Sequence, residues 1–340
     1  MSTAGTSTHP SPELFFDVIN RFQDAAALKT AIELDVFTVI GEGNETAASA
    51  AKRCHTSERG MRILCDALVI IGFLTKSNHK YALTTDSATF LDRRSRAYLG
   101  GAAGFLTLPM IRQAFDSLTE AVKKGGTAMS GRGSMEPENP AWVEFARSMA
   151  PMMRMPAQAI AAAINAKAGK RWKLLDIAAG HGTYGITVAE QNPNADITAV
   201  DWPNVLKVAQ ENAEKAGVAS RYHLKPGSVF EIDLGSDYDV VLVTGFMHHF
   251  DTNTCESLLR KIHAALVPGG TVVILDFIPD DNRVTPPAAA KFSLTMLALT
   301  DAGDAYTLAE YDRMMRNAGF AGAKPHPIPN SPQQIVMAVK

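Results

Sequence analysis

Residues 174–185, LLDIAAGHGTYG, put a carboxylate, a run of small residues and a helix start in immediate succession. Leu174, Leu175 and Ile177 read as a buried strand with Asp176 at its end; Ala178, Ala179, Gly180 and Gly182 follow, and TYGITVAEQ begins a helix. A strand that breaks into small residues and feeds a helix lets a ligand approach the backbone closely. A second carboxylate, Asp201, ends the apolar run ITAVD nineteen residues after Gly182. A carboxylate there takes both hydroxyls of a ribose, so this region predicts a nucleoside-containing ligand. A third constellation, FMHHF at 246–250, sets His248 and His249 just after the apolar run YDVVLVTG. The carboxyl end of a parallel strand is where ligands bind in open α/β sheets, and imidazole is the side chain best suited to accept a proton near neutrality.

GHGTYG also satisfies the literal pattern G-x-G-x-x-G, a weak signal for a dinucleotide site. In such sites the strand runs straight into the first glycine, whereas here Asp176 and two alanines intervene. A carboxylate repels a pyrophosphate but suits a ligand with a positive centre and an amino group. S-adenosylmethionine carries both. With Asp201 and the later turn Pro268-Gly269-Gly270, the arrangement resembles the class I S-adenosylmethionine-dependent methyltransferases. Ala178 stands where that family's motif has its first glycine.

The elements that must position these residues follow from the pattern. KLLDIA, DITAVD, RYHLKPG, YDVVLVTG and GTVVILDF read as five strands, and AKPHPIPNS with QQIVMAVK as an antiparallel pair closing the sheet edge. The expected fold is α/β, a Rossmann-like, doubly wound, mostly parallel sheet preceded by an all-α winged-helix domain. Residues 12–40 have helical periodicity, including Leu14, Phe15, Val18, Ile19 and Phe22. From residue 46, Thr46 is placed to cap one short helix and Thr56 or Ser57 the next; Gly72 ends the latter, and SNHK turns a hairpin. The candidate recognition helix, 57–71, has only Arg59 and Arg62 as basic residues, too few to neutralise phosphates. The winged helix is therefore expected to be a structural or dimer-forming module and not to bind DNA. It resembles the N-terminal dimerisation domain of the small-molecule O-methyltransferases of the acetylserotonin and plant phenolic type. The expected division is a disordered tail at 1–11, a dimerisation domain at 12–95, a helical linker and pocket segment at 96–165, and a catalytic domain at 166–340.

Composition narrows the function classes. The 340 residues are 46% hydrophobic, enough for two packed domains. The net charge of −2 gives no excess for nucleic acid or an anionic membrane. Cys54, Cys65 and Cys255 show no paired spacing and read as reduced thiols, with no metal site expected. The apolar stretch 63–74 is too short to span a bilayer and contains Asp66, and the first dozen residues lack a signal peptide's basic start and apolar core. A cytoplasmic location is expected.

The family resemblance implies roles residue by residue. His248 matches the catalytic base, His249 falls where aspartate is frequent, and Asp276 matches the first of two orienting carboxylates; the second falls at Ala305. S-adenosylmethionine would be held by Asp176, Gly180, Gly182, Asp201, Trp202, Ser228, Val229, Phe230, Thr244 and Gly245. Ser228 replaces a frequent aspartate, a change expected to weaken binding modestly. The methyl acceptor, a small molecule, would meet Trp142, Phe145, Met149, Met152 and Met153 on one helix, Phe292 and Met296 on another, and His249. Arg147 or Arg154, turned inward, would hold a substrate carboxylate.

The expected reaction is O-methylation of a phenolic or enolic hydroxyl by a homodimer, with His248 taking the proton. The missing second carboxylate leaves open S-methylation of a thiol or small methylthio-acid, as in a dimethylsulfoniopropionate-type pathway, and C-methylation. An S-adenosylmethionine-binding regulator without transfer is the reading from another class.

Overall fold

The computed structural model describes residues 10–131 and 133–340. Residues 1–9 of the expected tail lie outside the described residues. The chain forms two compact units, Met1–Ala103 and Gly104–Lys340.

In the first unit α1 (Glu13–Glu33) and α2 (Val36–Gly41) are separate helices, where the periodicity predicted one run. Asp35 adopts the left-handed conformation (φ 56°), which stops one helix and starts the other. Leu14, Phe15, Val18, Ile19 and Phe22 are between 54% and 71% exposed, so the apolar stripe of α1 is uncovered within this chain. Thr46 and Ser49 form a capping box on α3 (Ala47–Cys54), and Ser57 caps α4 (Glu58–Ile71) through the Gly60 N–H. Gly72 (φ 101°) ends α4. Strands β1 (Leu74–Ser77) and β2 (Lys80–Leu83) pair antiparallel about Asn78 and His79, both at positive φ, as a two-residue hairpin turn requires. The short α5 (Thr85–Phe90) follows. Phe37, Met61, Leu68 and Tyr81 fill the core between these elements. Arg62 of the candidate recognition helix is ion-paired with Asp66 at 3.1 Å.

The second unit is built on a seven-stranded sheet. A helical turn, α6 (Ala103–Leu106), leads to α7 (Pro109–Asp116), α8 (Leu118–Lys124) and the long α9 (Pro140–Ala163). Strands β3 (Trp172–Ile177), β4 (Ala195–Asp201), β5 (Tyr222–Pro226), β6 (Tyr238–Thr244) and β7 (Leu266–Phe277) are parallel. β8 (Lys324–Pro327) and β9 (Gln333–Val339) complete the sheet antiparallel, in the order β5-β4-β3-β6-β7-β9-β8. The intervening helices are α10 (Thr183–Gln191), α11 (Pro203–Lys215), α12 (Thr252–Ala265), α13 (Pro287–Leu299) and α14 (Leu308–Asn317). The inner parallel strands β3, β4, β6 and β7 carry near-continuous apolar runs because both faces are covered: one core gathers around Val241, Leu259 and Met314, the other around Leu174, Ile197 and Leu242. Strand order reverses between β3 and β6, so the loops after Ile177 and Thr244 meet at the switch point where such sheets open a crevice. Among the described residues no helix is long and apolar enough to cross a membrane.

Candidate active site

The loop after β3 is held by two carboxylates. Asp176 is fully buried, and its Oδ2 accepts the Gly185 N–H at 3.1 Å, satisfying an orphan donor in the first turn of α10. Asp201 reaches back from the end of β4, where Oδ2 accepts the Gly180 N–H at 2.8 Å and Oδ1 the Trp202 N–H at 2.7 Å. Burial pushes Asp176 up to about 7 and Asp201 up to about 6. The backbone between them is left-handed at Ala178 (φ 54°), Gly180 (φ 56°) and Gly182 (φ 74°). Gly182 has a further reason to be glycine: a Cβ there would lie 2.7 Å from the Tyr222 hydroxyl, so this position packs against protein. Alanine at 178 carries a conformation that glycine adopts freely, at a cost of about 1–2 kcal/mol.

Beside this loop lies a cavity of about 460 Å³. Ala178, Asp201, Trp202, Ser228, Val229, Phe230, Phe246, His249 and Phe250 line it, with Met135 and Pro137 from one loop and Asp301 and Ala302 from another. Its size falls in the range of small-molecule sites. Ser228 Oγ accepts the Phe230 N–H at 3.3 Å, fixing the turn after β5. Phe230, Phe246 and Phe250 form an aromatic wall, with ring centroids 4.9–6.3 Å apart. Of the residues expected to hold a cofactor, Asp201, Trp202, Ser228, Val229 and Phe230 share this cavity. Asp176 lies beneath the loop, and Thr244, the last residue of β6, and Gly245 after it do not line the cavity. Thr244 Oγ1 is buried without a partner, and the Gly245 N–H donates to Leu275 O at 2.8 Å.

After β6 the chain makes a 3-10 turn at Met247–His249. His248 is buried, and its Nδ1 lies 2.6 Å from Oδ1 of Asp276, itself fully buried near the end of β7. The Phe277 N–H also donates to Oδ1, at 2.8 Å, and the Tyr311 hydroxyl donates to Oδ2 at 2.8 Å. Phe292 meets the His248 ring edge-to-face at 4.8 Å and stacks on Phe277. His249 faces the cavity; its Nδ1 is buried without a partner, and Trp142 packs on its edge at 5.4 Å. Burial and the neighbouring His248 hold His249 well below the usual histidine range, so its ring is neutral.

The α9 residues divide by side. Phe145 stacks on His181, and Met153 Sδ accepts the Tyr184 hydroxyl at 3.1 Å. Trp142 donates its indole N–H to Ser134 O at 2.9 Å. Met149 is buried, as is Met296 on α13, whereas Met152 is 39% exposed. The expected inward turn of the arginines is corrected: Arg147 is on the surface, paired with Glu211 at 3.2 Å, and Arg154 is exposed. The helical period that brings Phe145 and Met149 inward carries both guanidinium groups outward. Ala305 is fully buried, and its neighbour Asp304 pairs with Arg283 at 3.0 Å.

Two residues near this machinery went unread in the sequence. His181, the middle of GHG, is buried with Nδ1 accepting the Thr183 N–H at 3.0 Å, and burial lowers it to about 4. Tyr311 occupies an ordinary apolar position of α14, and nothing local marks its hydroxyl as a partner of Asp276. Among the described residues no group of three His, Cys, Asp or Glu side chains is placed to hold a metal ion.

Two family models match the chain: an O-methyltransferase domain over residues 115–321 and an O-methyltransferase dimerisation domain over residues 16–93. It is 28% identical to a 3-hydroxy-5-methyl-1-naphthoate 3-O-methyltransferase of Streptomyces sahachiroi, across 93% of this chain and 92% of that one. It is also 28% identical to a tetracenomycin polyketide synthesis 8-O-methyl transferase of Streptomyces glaucescens, across 89% of each. A crystal structure of a candidate O-methyltransferase from Nostoc punctiforme superposes with a TM-score of 0.95 at 56% identity, covering 98% of this chain and 100% of that chain. Human N-acetylserotonin methyltransferase, solved with S-adenosylmethionine, shares the fold at a TM-score of 0.85 and 21% identity, over 99% of each chain.

Proposed function

Because the chain belongs to the O-methyltransferase family, and is an S-adenosylmethionine-dependent methyltransferase, we propose that it methylates a phenolic or enolic hydroxyl of a small molecule, with His248 as general base. The observation that carries this reading is the 2.6 Å contact between two buried groups, His248 Nδ1 and Asp276 Oδ1. Asp276 also receives a backbone N–H and a phenolic O–H, so it acts as acceptor in all three bonds. The proton shared with His248 therefore sits on Nδ1, and in the neutral imidazole that tautomer leaves the Nε2 lone pair for the acceptor hydroxyl. Removing that proton as the new bond forms contributes about 10²–10⁴-fold in rate.

The residues around the cavity fit S-adenosylmethionine. Each oxygen of Asp201 takes one backbone N–H and retains a second lone pair, the capacity that two adjacent hydroxyls require. In this reading Asp201 holds the ribose, Trp202, Ser228, Val229 and Phe230 hold the adenine, and the backbone at Gly180 faces the methionine part. Asp176 holds the loop from beneath. When bound, S-adenosylmethionine supplies a methyl group activated by its sulfonium.

In this reading Trp142, Phe145, Met149, Met153, Phe292 and Met296 enclose the acceptor, and the unpartnered Nδ1 of neutral His249 offers it one hydrogen-bonding nitrogen. The relative that acts on 3-hydroxy-5-methyl-1-naphthoate supports an aromatic hydroxyl. A sulfur acceptor held by its carboxylate loses its anchor, since Arg147 is engaged by Glu211. The reading includes a homodimer, supported by the dimerisation-domain match and by the uncovered stripe Leu14, Phe15, Val18, Ile19 and Phe22. It also includes a cytoplasmic location, in keeping with free Cys54, Cys65 and Cys255.

The test is an acceptor screen with methyl-labelled S-adenosylmethionine, across phenols, enolic acids, thiols and methylthio-acids, run on the wild type and His248→Ala. Turnover of hydroxyl acceptors that falls at least about 10²-fold in the variant supports the reading. Turnover of sulfur acceptors alone, or an unaffected variant, overturns it.

A further inference from the structure

Asp276 holds His248 with one oxygen, and its other oxygen has to be fixed as well if the imidazole is to stay aimed. A carboxylate with one unrestrained oxygen rotates about its terminal torsion, which is broad and soft. Here the second oxygen, Oδ2, accepts the hydroxyl of Tyr311 at 2.8 Å. Tyr311 is fully buried on α14, thirty-five positions from Asp276 in sequence. Its own placement is over-determined. The first turn of α14 is tied by a capping box between Thr307 and Glu310, and both carboxylate oxygens of Glu310 accept from one guanidinium nitrogen, Nη2 of Arg283, at 2.7 Å. The Tyr311 ring meets Tyr306 edge-to-face at 6.1 Å, and Tyr306 in turn donates to the carbonyl of Phe250, two residues beyond His248. Burial beside Asp276 holds the phenol well above its usual range, so it remains a donor. The side chain at 305 is a buried methyl and supplies no polar atom to this network.

We propose that Tyr311 is a positioning residue for methyl transfer, its hydroxyl locking the Asp276 carboxylate that orients His248. The proposal rests on the reading of His248 as the base. Tyr311 does not line the cavity; it acts through Asp276, and the hydrogen-bonded chain runs Tyr311–Asp276–His248. Removing the hydroxyl leaves Oδ2 without its donor and frees the carboxylate to turn, so the imidazole samples orientations in which Nε2 is misaligned. Misplacement of this kind costs turnover more than binding.

The experiment is a double-mutant cycle on the full-length protein with a hydroxyl acceptor found in the screen: wild type, Tyr311→Phe, His248→Ala and the pair. Tyr311→Phe removes one atom and keeps the ring. The expected result is a fall of roughly ten- to hundredfold in kcat, with the acceptor KM and the calorimetric Kd for S-adenosylmethionine each within about twofold of wild type, and no further fall when the change is added to His248→Ala. An unchanged kcat in Tyr311→Phe overturns the proposal. So does an equal fall in both backgrounds, which marks a structural role independent of the histidine. Wild-type turnover in His248→Ala removes the base assignment itself, a result visible without the tyrosine variant. A second measurement covers a poorly folding Tyr311→Phe: imidazole nitrogen resonances of labelled wild type, assigned by their loss in His248→Ala. They are expected to show one Nδ1–H tautomer for His248, and a mixture of tautomers would overturn the locked carboxylate.

Discussion

Asp201 and Asp276 end or nearly end parallel strands on opposite sides of the switch point, and each uses Oδ1 in the same way, accepting the N–H of the next residue at 2.7 and 2.8 Å. Beyond that shared turn they differ in what reaches them. Asp201 is met only by backbone, its second bond coming from Gly180, and it faces the cavity with acceptor capacity left over. Asp276 is met by two side chains, His248 and Tyr311, and is closed off from the cavity. The same residue type with the same local bond is left ready for a ligand in one case and made part of the protein's own hydrogen-bond chain in the other. Donor identity, and not strand position, separates them.

Four substitutions or conditions press on that contrast. The largest effect is expected from Asp276→Asn. The amide must turn a donor toward Phe277, Tyr311 or His248, and facing His248 it moves the imidazole proton to Nε2 and removes the base. The fall in kcat should be about 10²–10⁴-fold with the cofactor Kd little changed, and steady-state kinetics beside calorimetry separates the two. A Kd that weakens in parallel would make Asp276 as ligand-facing as Asp201. Next comes Asp201→Ala, which removes two charge-assisted acceptors and the anchor of Gly180; S-adenosylmethionine should bind about 10- to 100-fold more weakly by calorimetry. An unaltered Kd would refute the ribose role.

A smaller effect is expected from pH. The carboxyl of Asp201 is raised to about 6. Hydroxyl donors favour its anion, so a bound ribose lowers that value and binding releases a proton. Cofactor affinity is therefore full above pH 6 and declines as pH falls through it. Titration calorimetry across pH 5–8 should show this decline in the wild type and not in Asp201→Ala. The smallest effect concerns the loop between the two carboxylates. Ala178→Gly relieves a left-handed alanine at φ 54°, partly offset by glycine's greater freedom in the unfolded chain, for a net gain of about 0.5 kcal/mol. Thermal melts should rise by an amount of the order of 1 °C; a fall would mean that the loop is unstrained as it stands.

Periodicity and small-residue spacing are local properties, and they carried most of the fold. The apolar runs predicted the inner strands β3, β4, β6, β7 and β9, because strands covered on both faces have to be apolar throughout. Thr46, Ser57 and Gly72 declared helix ends through bonds made within a few residues. The carboxylates Asp176 and Asp201 and the histidine pair were legible because the ends of parallel strands are where such groups gather, and Asp276 was named only by the family resemblance. What stayed illegible depends on direction and distance. That Asp35 would divide the first helix turns on one left-handed residue. That Arg147 would face Glu211 and not the acceptor depends on the rotation of α9 against α11. Tyr311 reads in sequence as one more apolar residue of a helix, and becomes the third member of a hydrogen-bonded chain only because α14 packs over the end of β7. Local sequence thus determined which elements form and where their chemistry-bearing ends lie. Packing between elements far apart in the chain decided which of those groups are saturated by the protein and which are left with lone pairs for a ligand.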